Sequence, residues 1–490
     1  MAYYSDITRY RNTRQHSALV ESINRIISSP LGVVILGALT LISYVFSLEI
    51  VFYTFVVLYA IYVGIFADDF TPLMPLFILC YITPSPTNNP GSNGQSIFFG
   101  TSGIYLIAIV TIGILVLLGR IAFDPNMGLR RLFGTKRALL PGMLVLGASY
   151  FLSGILHPEY AEYAKGNLLF AFIQFASLFL LYFIFSATIN WEDFDFDYFA
   201  SIGLIVGVVV AAEVGYTYLV EDVIQNGVIR RDIIQTGWGC YNNIGAIISM
   251  SIPFAFYFAS RKKGNSAFLL IACLLFVSAV FTCSRGSIVG AVFAFIASFI
   301  YTFIKCVNKI EFRVTSFLFL AALIVGVWTF RDRLILIFRD LPHIIVWGEE
   351  SIVINDSDRF DIYKNGIKIF LRNPIFGQSF FPIEYNGMGT HILTEQFSSF
   401  FPPRWHNTIV QMMASCGVVG LVAYLYHRIS TLRLYASKPT QANTYLLFYV
   451  GTLLGMSLLD CHFFNVGPVL FYSMAAAVAE FASDPMEYTY

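Results

Sequence analysis

The chain has 490 residues, of which 57% are hydrophobic and only 12% are charged. Soluble domains carry about 25% charged residues, so this composition excludes a string of soluble domains and indicates one polytopic membrane protein. The 30 basic and 30 acidic residues give a formal net charge of zero, which provides no electrostatic basis for binding nucleic acid.

The predicted elements begin with a polar, arginine-containing segment at residues 1–30, which we interpret as a cytoplasmic amphipathic segment rather than a cleaved signal peptide. Apolar stretches of about 20 residues then recur along the chain, as membrane-spanning helices require. An all-α protein with fourteen transmembrane helices is predicted, at residues 31–49, 50–66, 71–83, 101–123, 138–156, 167–190, 198–220, 242–260, 267–283, 286–304, 312–330, 405–426, 443–459 and 467–483.

The distribution of positive charge sets the orientation of these helices. With a cytoplasmic N-terminus, most Lys and Arg of the short loops fall inside, as in "LRRLFGTKR", "RKKGNS" and "HRISTLRLYASK". Both termini are therefore predicted to be cytoplasmic, with helices 1–11 in residues 31–330 and the last three helices and a short tail in residues 405–490. Residues 331–404 form a large extracytoplasmic loop, in which "DRFDIYKNGIKIFLRNPIFG" predicts an amphipathic helix on the membrane surface.

Arginines at the outer ends of these helices are candidates for chemistry. Arg285 lies in a short turn between two apolar helices, where it either snorkels to the lipid headgroups or faces a polar cavity and binds an anion. In the second case, backbone amides of Gly286 and Ser287 would add donors. The other arginines predicted on this face are Arg230, Arg231, Arg359 and Arg404.

His406 and Asn407 open the twelfth predicted helix in "RWHNTIVQMMASCGVVGL". Asn407 is a good helix N-cap. His406 either belongs to the cap region or acts as a base, because a histidine with an ordinary pKa of about 6.5 can take a proton from a sugar hydroxyl near neutral pH. Cations and one candidate base on the same face suggest a phosphate-linked donor and a hydroxyl acceptor.

Acidic residues give weaker signals. Glu213 is an acid inside a predicted span, and it either supports the site by pairing with an outer-face arginine or is a protonated, hydrogen-bonded glutamic acid. Asp356 and Asp358 form a D-x-D triplet of the kind that holds a metal on a diphosphate, but such triplets are common by chance.

Four segments resemble those of the O-antigen ligase and O-antigen polymerase superfamily. "WHNTIVQMMASCGVVGL" is similar to the family signature, whose positions are taken here by His406, Asn407, Val410 and Gly417. "TCSRGSIVG" is similar to the family's Ser-Arg turn, "GWGCYNNIGAIISMSIPFAFYF" to its Asn-containing helix, and "RFDIYKNGIKIFLRNPIFGQSF" to an Arg-led helix that ends in Pro-x-x-Gly. The segments occur in the family's order, whereas the first 200 residues agree only in being membrane helices.

The resemblance implies a GT-C type integral-membrane glycosyltransferase with an outer loop over its active site, acting on an undecaprenyl-diphosphate-linked donor without metal or other cofactor. It implies that His406 is the base or the acceptor-orienting residue. Arg285, together with Arg230 or Arg231, would hold the diphosphate as it leaves. Arg231 stands six residues before Gly237, farther than the corresponding arginine in many members, so the choice between the two stays open.

The favoured hypothesis is a Wzy-type polymerase, an inverting glycosyltransferase in the bacterial cytoplasmic membrane with its active site facing outward. It would join lipid-linked oligosaccharide repeat units into O-antigen, capsule or exopolysaccharide. The alternatives are a ligase with another acceptor and a flippase for lipid-linked sugar, although charges concentrated at one face argue against a flippase. Expected partners are the lipid-linked donor and acceptor, membrane lipids, a chain-length regulator and a separate flippase.

Overall fold

The computed structural model describes residues 17–82, 101–123, 137–155, 160–221, 223–225, 228–229, 233–236, 239–261, 265–329, 331, 356–380, 404–437 and 440–482. Its first helices are α1 (Ala18–Ile27), α2 (Pro30–Phe46), α3 (Glu49–Phe66), α4 (Met74–Ile82), α5 (Thr101–Phe123), α6 (Leu140–Phe151), α7 (Tyr160–Thr188) and α8 (Phe196–Val220). The later helices are α9 (Tyr241–Arg261), α10 (Phe268–Phe281), α11 (Arg285–Lys305), α12 (Lys309–Thr329), α13 (Asp356–Arg372), α14 (Thr408–Ser437), α15 (Gln441–Ser457) and α16 (Val466–Phe481).

Short elements connect some of these helices. Single 3-10 turns occur at Thr71–Leu73, Asn265–Ala267 and His462–Phe464. Between α8 and α9 the chain forms two antiparallel pairs of two-residue strands, β1 (Ile224–Gln225) with β2 (Val228–Ile229) and β3 (Gln235–Thr236) with β4 (Gly239–Cys240). In these pairs Ile224 lies opposite Ile229, and Gln235 lies opposite Cys240.

Each of the fourteen predicted segments contains a helix, and the helical membrane-protein class is confirmed. Five helices in the described residues are long and apolar enough to cross a membrane, at Gly166–Thr188, Phe196–Val220, Tyr241–Arg261, Arg285–Lys305 and Thr408–Ser437. α1 and α2, bent by 73° at their junction, make a sixth candidate if they form one broken span. The fourteen crossings, the cytoplasmic termini and the GT-C fold stay predictions.

α9 lies inside the helix bundle, because side chains on all of its faces are buried. It is buried almost continuously from Ile244 to Ser260 and packs against α8, α10, α11 and α15. α8 approaches it through small residues: a Cβ on Gly207 would stand only 2.7 Å from Ser251 Oγ. Close backbone packing of this kind is how helices associate in a membrane. This contact lies in the middle of α9, whose N-terminal end carries Asn242 and Asn243.

α14 is broken at Gly417, which has φ 64° and ψ −158°. A helix break inside an apolar bundle leaves amides and carbonyls that need partners. The segment after α13 supplies them: Val418 N donates to Pro374 O at 2.8 Å, and Gln378 N donates to Ala414 O at 2.8 Å. The Pro-x-x-Gly segment therefore supplies the hydrogen-bond partners that the helix break at Gly417 requires.

The predicted end of this helix at residue 426 is wrong, because α14 continues to Ser437. The break divides α14 into two pieces, and the second piece, 418–437, is about 30 Å long at 1.5 Å per residue. "HRISTLRLYASK" thus belongs largely to the helix rather than to an inner loop. His427 and Arg428 are buried, at 0% and 7% exposure.

Arg428 lies among aromatic rings from three elements. Its guanidinium carbon is 3.8 Å from the centre of the Phe463 ring, 4.7 Å from that of Tyr424 and 5.1 Å from that of Tyr472. A desolvated cation over a ring face is stabilised by about 2 kcal/mol or more. Arg428 therefore ties α14 to α16 and to the turn that contains Phe463.

Candidate functional site

His406 precedes α14 in a left-handed backbone conformation, with φ 48°. Its Nδ1 lies 3.2 Å from Oδ1 of Asp460, a residue between α15 and α16. The His406 side chain is 35% exposed and the Asp460 side chain only 8%. The imidazole can thus reach a substrate, whereas the carboxylate behind it is covered by protein.

The Asp460 carboxylate accepts two further hydrogen bonds. Asn242 Nδ2, at the start of α9, donates to Oδ2 at 2.8 Å, and the amide of Cys461 donates to Oδ1 at 2.7 Å. Burial alone would raise the pKa of Asp460, but the hydrogen bond with His406 and the nearby imidazole of His462 hold this pKa well below its usual range. Asp460 is therefore ionised.

The charge of Asp460 decides which nitrogen of His406 carries hydrogen. An ionised carboxylate only accepts hydrogen bonds, so the Nδ1 of His406 that faces it is the donor. In the neutral imidazole the other nitrogen, Nε2, is then the acceptor. This is the arrangement in which a carboxylate orients a histidine as a general base and stabilises the imidazolium once the proton has been taken.

Asn407 joins α14 to the chain that carries Asp460. Its Oδ1 accepts from the amides of Ile409 at 2.9 Å and Val410 at 3.1 Å, which is the helix cap that the sequence predicts. Its Nδ2 donates to the carbonyl of Leu458 at 2.8 Å. The adjacent residues His406 and Asn407 thus bind two positions, 458 and 460, on one connecting segment.

Arg285 begins α11, beside these residues. The following Gly286 faces His462: a Cβ placed there would stand 3.6 Å from His462 Nε2. Ser287 Oγ lies 3.3 Å from the carbonyl of Asn242, which links the start of α11 to that of α9. A cation in the first turn of a helix opposes the helix dipole. An anion bound at this end would offset that cost.

The Ser287 amide, expected from the sequence to serve the anion, is used within the helix cap. Ser284 is the N-cap residue of α11, and its Oγ accepts from Ser287 N at 3.4 Å. Cys283, just before it, has φ 55° and completes the tight turn into α11. Of the two backbone amides predicted to serve the anion, only that of Gly286 therefore stays a candidate, beside the predicted ligand Arg285.

Arg404 lies close to the same connecting segment. Burial and the charge of Asp460 raise the pKa of the Cys461 thiol, and the positive charge of Arg404 opposes this rise. The structure therefore brings Arg404, His406, Asp460 and His462 together, with Arg285 adjacent.

Glu213 is the one remaining predicted site residue whose side chain lies in the described part of the chain. Arg230 and Arg231 lie outside the described residues, and so do the side chains of Arg359, Asp356 and Asp358 at the start of α13. Glu213 is fully buried in α8. One turn along, Thr217 Oγ1 bonds to the Glu213 carbonyl at 2.9 Å and lies 3.3 Å from the Tyr44 hydroxyl of α2. Its supporting role stays a prediction.

Sequence reasoning missed Asp460. The candidates from the sequence were outer-face cations, histidines and acids inside spans, and Asp460 falls just after a span in "SLLDCHFFN". A signal was present, since an acid between two apolar helices needs a partner that offsets its desolvation. The sequence does not say that this partner is His406, 54 residues away.

Residues 245–425 match the family model described as O-antigen ligase. No curated protein matches the chain. The matched range includes Arg285, His406 and Gly417, whereas Asn242 precedes it by three residues and Asp460 follows its end by 35 residues. The resemblance read from the four motif segments is thus confirmed.

Proposed function

Because the chain carries the domain of the O-antigen ligase and polymerase superfamily, we propose that it is a glycan polymerase of the outer face of the bacterial cytoplasmic membrane. It joins undecaprenyl-diphosphate-linked oligosaccharide repeat units into O-antigen, capsule or exopolysaccharide. The observation that carries the proposal is the His406–Asp460 pair beside Arg285, which combines a base with an anion site.

The reaction is a single displacement at the anomeric carbon of the donor. Nε2 of His406 takes the proton of the acceptor hydroxyl as the acceptor oxygen bonds to that carbon. The bond from the anomeric carbon to the diphosphate oxygen breaks, and the lipid diphosphate leaves with the bonding electrons. Asp460 stabilises the imidazolium, which then releases its proton to water. Attack opposite the leaving group inverts the anomeric centre.

Arginines stabilise the leaving diphosphate. A guanidinium donates two parallel hydrogen bonds to phosphate oxygens, which suits Arg285 and Arg404 at the edge of the site. Arg359 and one of Arg230 and Arg231 complete the set of diphosphate ligands in this proposal. A donor fixed where negative charge develops lowers the barrier most, because it needs no rearrangement during the reaction. Charge neutralisation by arginine lets this reaction proceed without a metal.

The ligase alternative rests on the matching family description, O-antigen ligase. Both enzymes take glycan from the same kind of donor and differ in the acceptor. The fourteen spans predicted from the sequence favour the polymerase, because they look more like the polymerases of this superfamily, whereas its ligases commonly have about twelve. In that case the acceptor is a second lipid-linked repeat unit.

The test uses purified protein in nanodiscs with the lipid-diphosphate-linked oligosaccharide of the host and no other acceptor, with products separated on a gel. A ladder of repeat units is the expected result, because the donor also serves as acceptor. Transfer only after a second acceptor lipid is added would identify a ligase. Absence of turnover with both would favour the flippase hypothesis.

A further inference from the structure

Tyr363 of α13 contacts the backbone of the histidine. Its hydroxyl donates to the carbonyl oxygen of His406 at 3.0 Å. We propose that Tyr363 is a positioning residue, which holds His406 in the backbone conformation that directs its ring at Asp460. The inference rests on the proposed function and adds to it a residue that touches neither substrate nor the reacting atoms.

The backbone of His406 needs such support because it is left-handed, with φ 48°. A non-glycine residue in this region costs about 1–2 kcal/mol, and the conformation persists only where its surroundings impose it. The neighbours on both sides are held: Trp405 N donates to Gln411 Oε1 at 3.1 Å, and Asn407 Nδ2 donates to Leu458 O at 2.8 Å. Tyr363 fixes the carbonyl between them, and with it the peptide plane that follows His406.

Apolar packing holds α13 in place next to this hydrogen bond. Trp405 is fully buried in a small core with Ile362, Ile369, Val410 and Ala414, against which Tyr363 packs. Gly366, one turn after Tyr363, allows close approach, since a Cβ there would stand 3.1 Å from Trp405 Cε3. The same helix face thus buries Trp405 and presents the Tyr363 hydroxyl to the next residue.

The decisive variant is Tyr363→Phe, which removes one oxygen and keeps the ring in its packing. The matched control is Tyr198→Phe, which also removes a hydroxyl bonded to a backbone carbonyl, that of Ile27 at 3.3 Å, away from the site. We expect kcat to fall roughly tenfold in Tyr363→Phe, as for the loss of one hydrogen bond, with KM for the lipid donor unchanged. The control should keep the kcat of the parent protein.

The pH dependence of kcat distinguishes a loss of His406 positioning from a change in the protonation of its imidazole ring. The Tyr363 bond goes to the backbone, so Tyr363→Phe should lower kcat at every pH without moving the inflection of the profile. Asp460→Asn, which alters the partner of the ring, should move it. A loss in Tyr363→Phe that is matched by the control or accompanied by a large drop in Tm would mean general destabilisation and would overturn the proposal.

An activity-independent measurement distinguishes failure of this inference from failure of the proposed function. The imidazole NMR signals of isotope-labelled histidine, with His406 assigned by their loss in His406→Ala, should shift in Tyr363→Phe and not in Tyr198→Phe. If Tyr363→Phe shifts the His406 signal but the parent protein has no transferase activity, the positioning role of Tyr363 is supported and the proposed enzymatic function is contradicted. An unshifted signal with unchanged kcat would reject the positioning role alone.

Discussion

Gly417 and Gly377 meet where α14 breaks: a Cβ on Gly417 would stand 2.7 Å from the amide nitrogen of Gly377. Both glycines have positive φ, 64° and 70°. The contact joins the glycine of the His-Asn signature to the glycine of the Pro-x-x-Gly segment. These two motif positions serve the architecture of the site, because the glycines act through backbone packing and have no side chain that could take part in the reaction.

Gly417→Ala is therefore expected to destabilise the protein, since the new Cβ meets backbone atoms and the φ is unfavourable for alanine. The cost should be about 2 kcal/mol or more, visible as a lower Tm in detergent. The control is Gly455→Ala in α15, where a Cβ would meet nothing within 4 Å and φ is not positive. An unchanged Tm in Gly417→Ala would show that the close contact between Gly417 and the Pro-x-x-Gly segment does not stabilise the protein.

His406→Ala and Arg285→Ala should each abolish product while leaving membrane insertion intact. The first removes the proposed base, and the second removes the charge that meets the leaving diphosphate. Product is measured as the gel ladder, and insertion by the amount of monodisperse protein extracted from membranes. Full-length polymer from both variants would show that this site assignment is wrong.

Asp460→Asn should lower kcat by about 10²- to 10⁴-fold, the range expected when the carboxylate that orients a catalytic histidine is replaced by its amide. The amide can present its NH2 group to Nδ1 and so favour the wrong tautomer. A suitable control is Asp193→Asn, a carboxylate that accepts from Asn190 Nδ2 at 2.7 Å in an exposed loop. Equal rates in the two variants would remove Asp460 from the mechanism.

The pH dependence follows from the direction of the Asp460 shift. Burial is the largest single influence and raises its folded-state pKa, but the His406 hydrogen bond, the nearby histidines and the Cys461 amide together hold this pKa below the usual range. The carboxylate therefore stays ionised as pH falls through the ordinary Asp range near 3.9, and its stabilisation is lost only below that range. In the parent protein the acid side of the pH–rate profile should therefore not be set by protonation of Asp460. An acid limb near pH 4 would instead assign the essential group to a carboxylate.

Arg428→Met should lower Tm, because it removes the cation that three aromatic rings surround. Loss of one desolvated cation–π contact alone is expected to cost about 2 kcal/mol. Arg428→Lys should recover only part of this, since an ammonium cannot stack its plane on Phe463. Arg433→Met, at an exposed position of the same helix, is the control and should leave Tm unchanged.

Local signals in the sequence were sufficient for much of this protein. Hydropathy located the fourteen apolar helical segments, because lipid-compatible helices need long apolar runs. The cap at Asn407 was predictable, since capping depends on a residue and the amides two and three positions later. The motif segments led to Arg285 and His406 because their residue types and spacing are local features.

The sequence by itself thus determined the membrane class, the helical segments and the two candidate functional residues Arg285 and His406. Only the tertiary structure decided that Asp460 lies against His406, that Tyr363 bonds to the His406 carbonyl, and that Gly417 packs onto the chain after α13. Each of these contacts joins residues more than 35 positions apart. No local periodicity or propensity encodes such a pairing, because it depends on how the helices pack and on which polar groups need partners in an apolar interior.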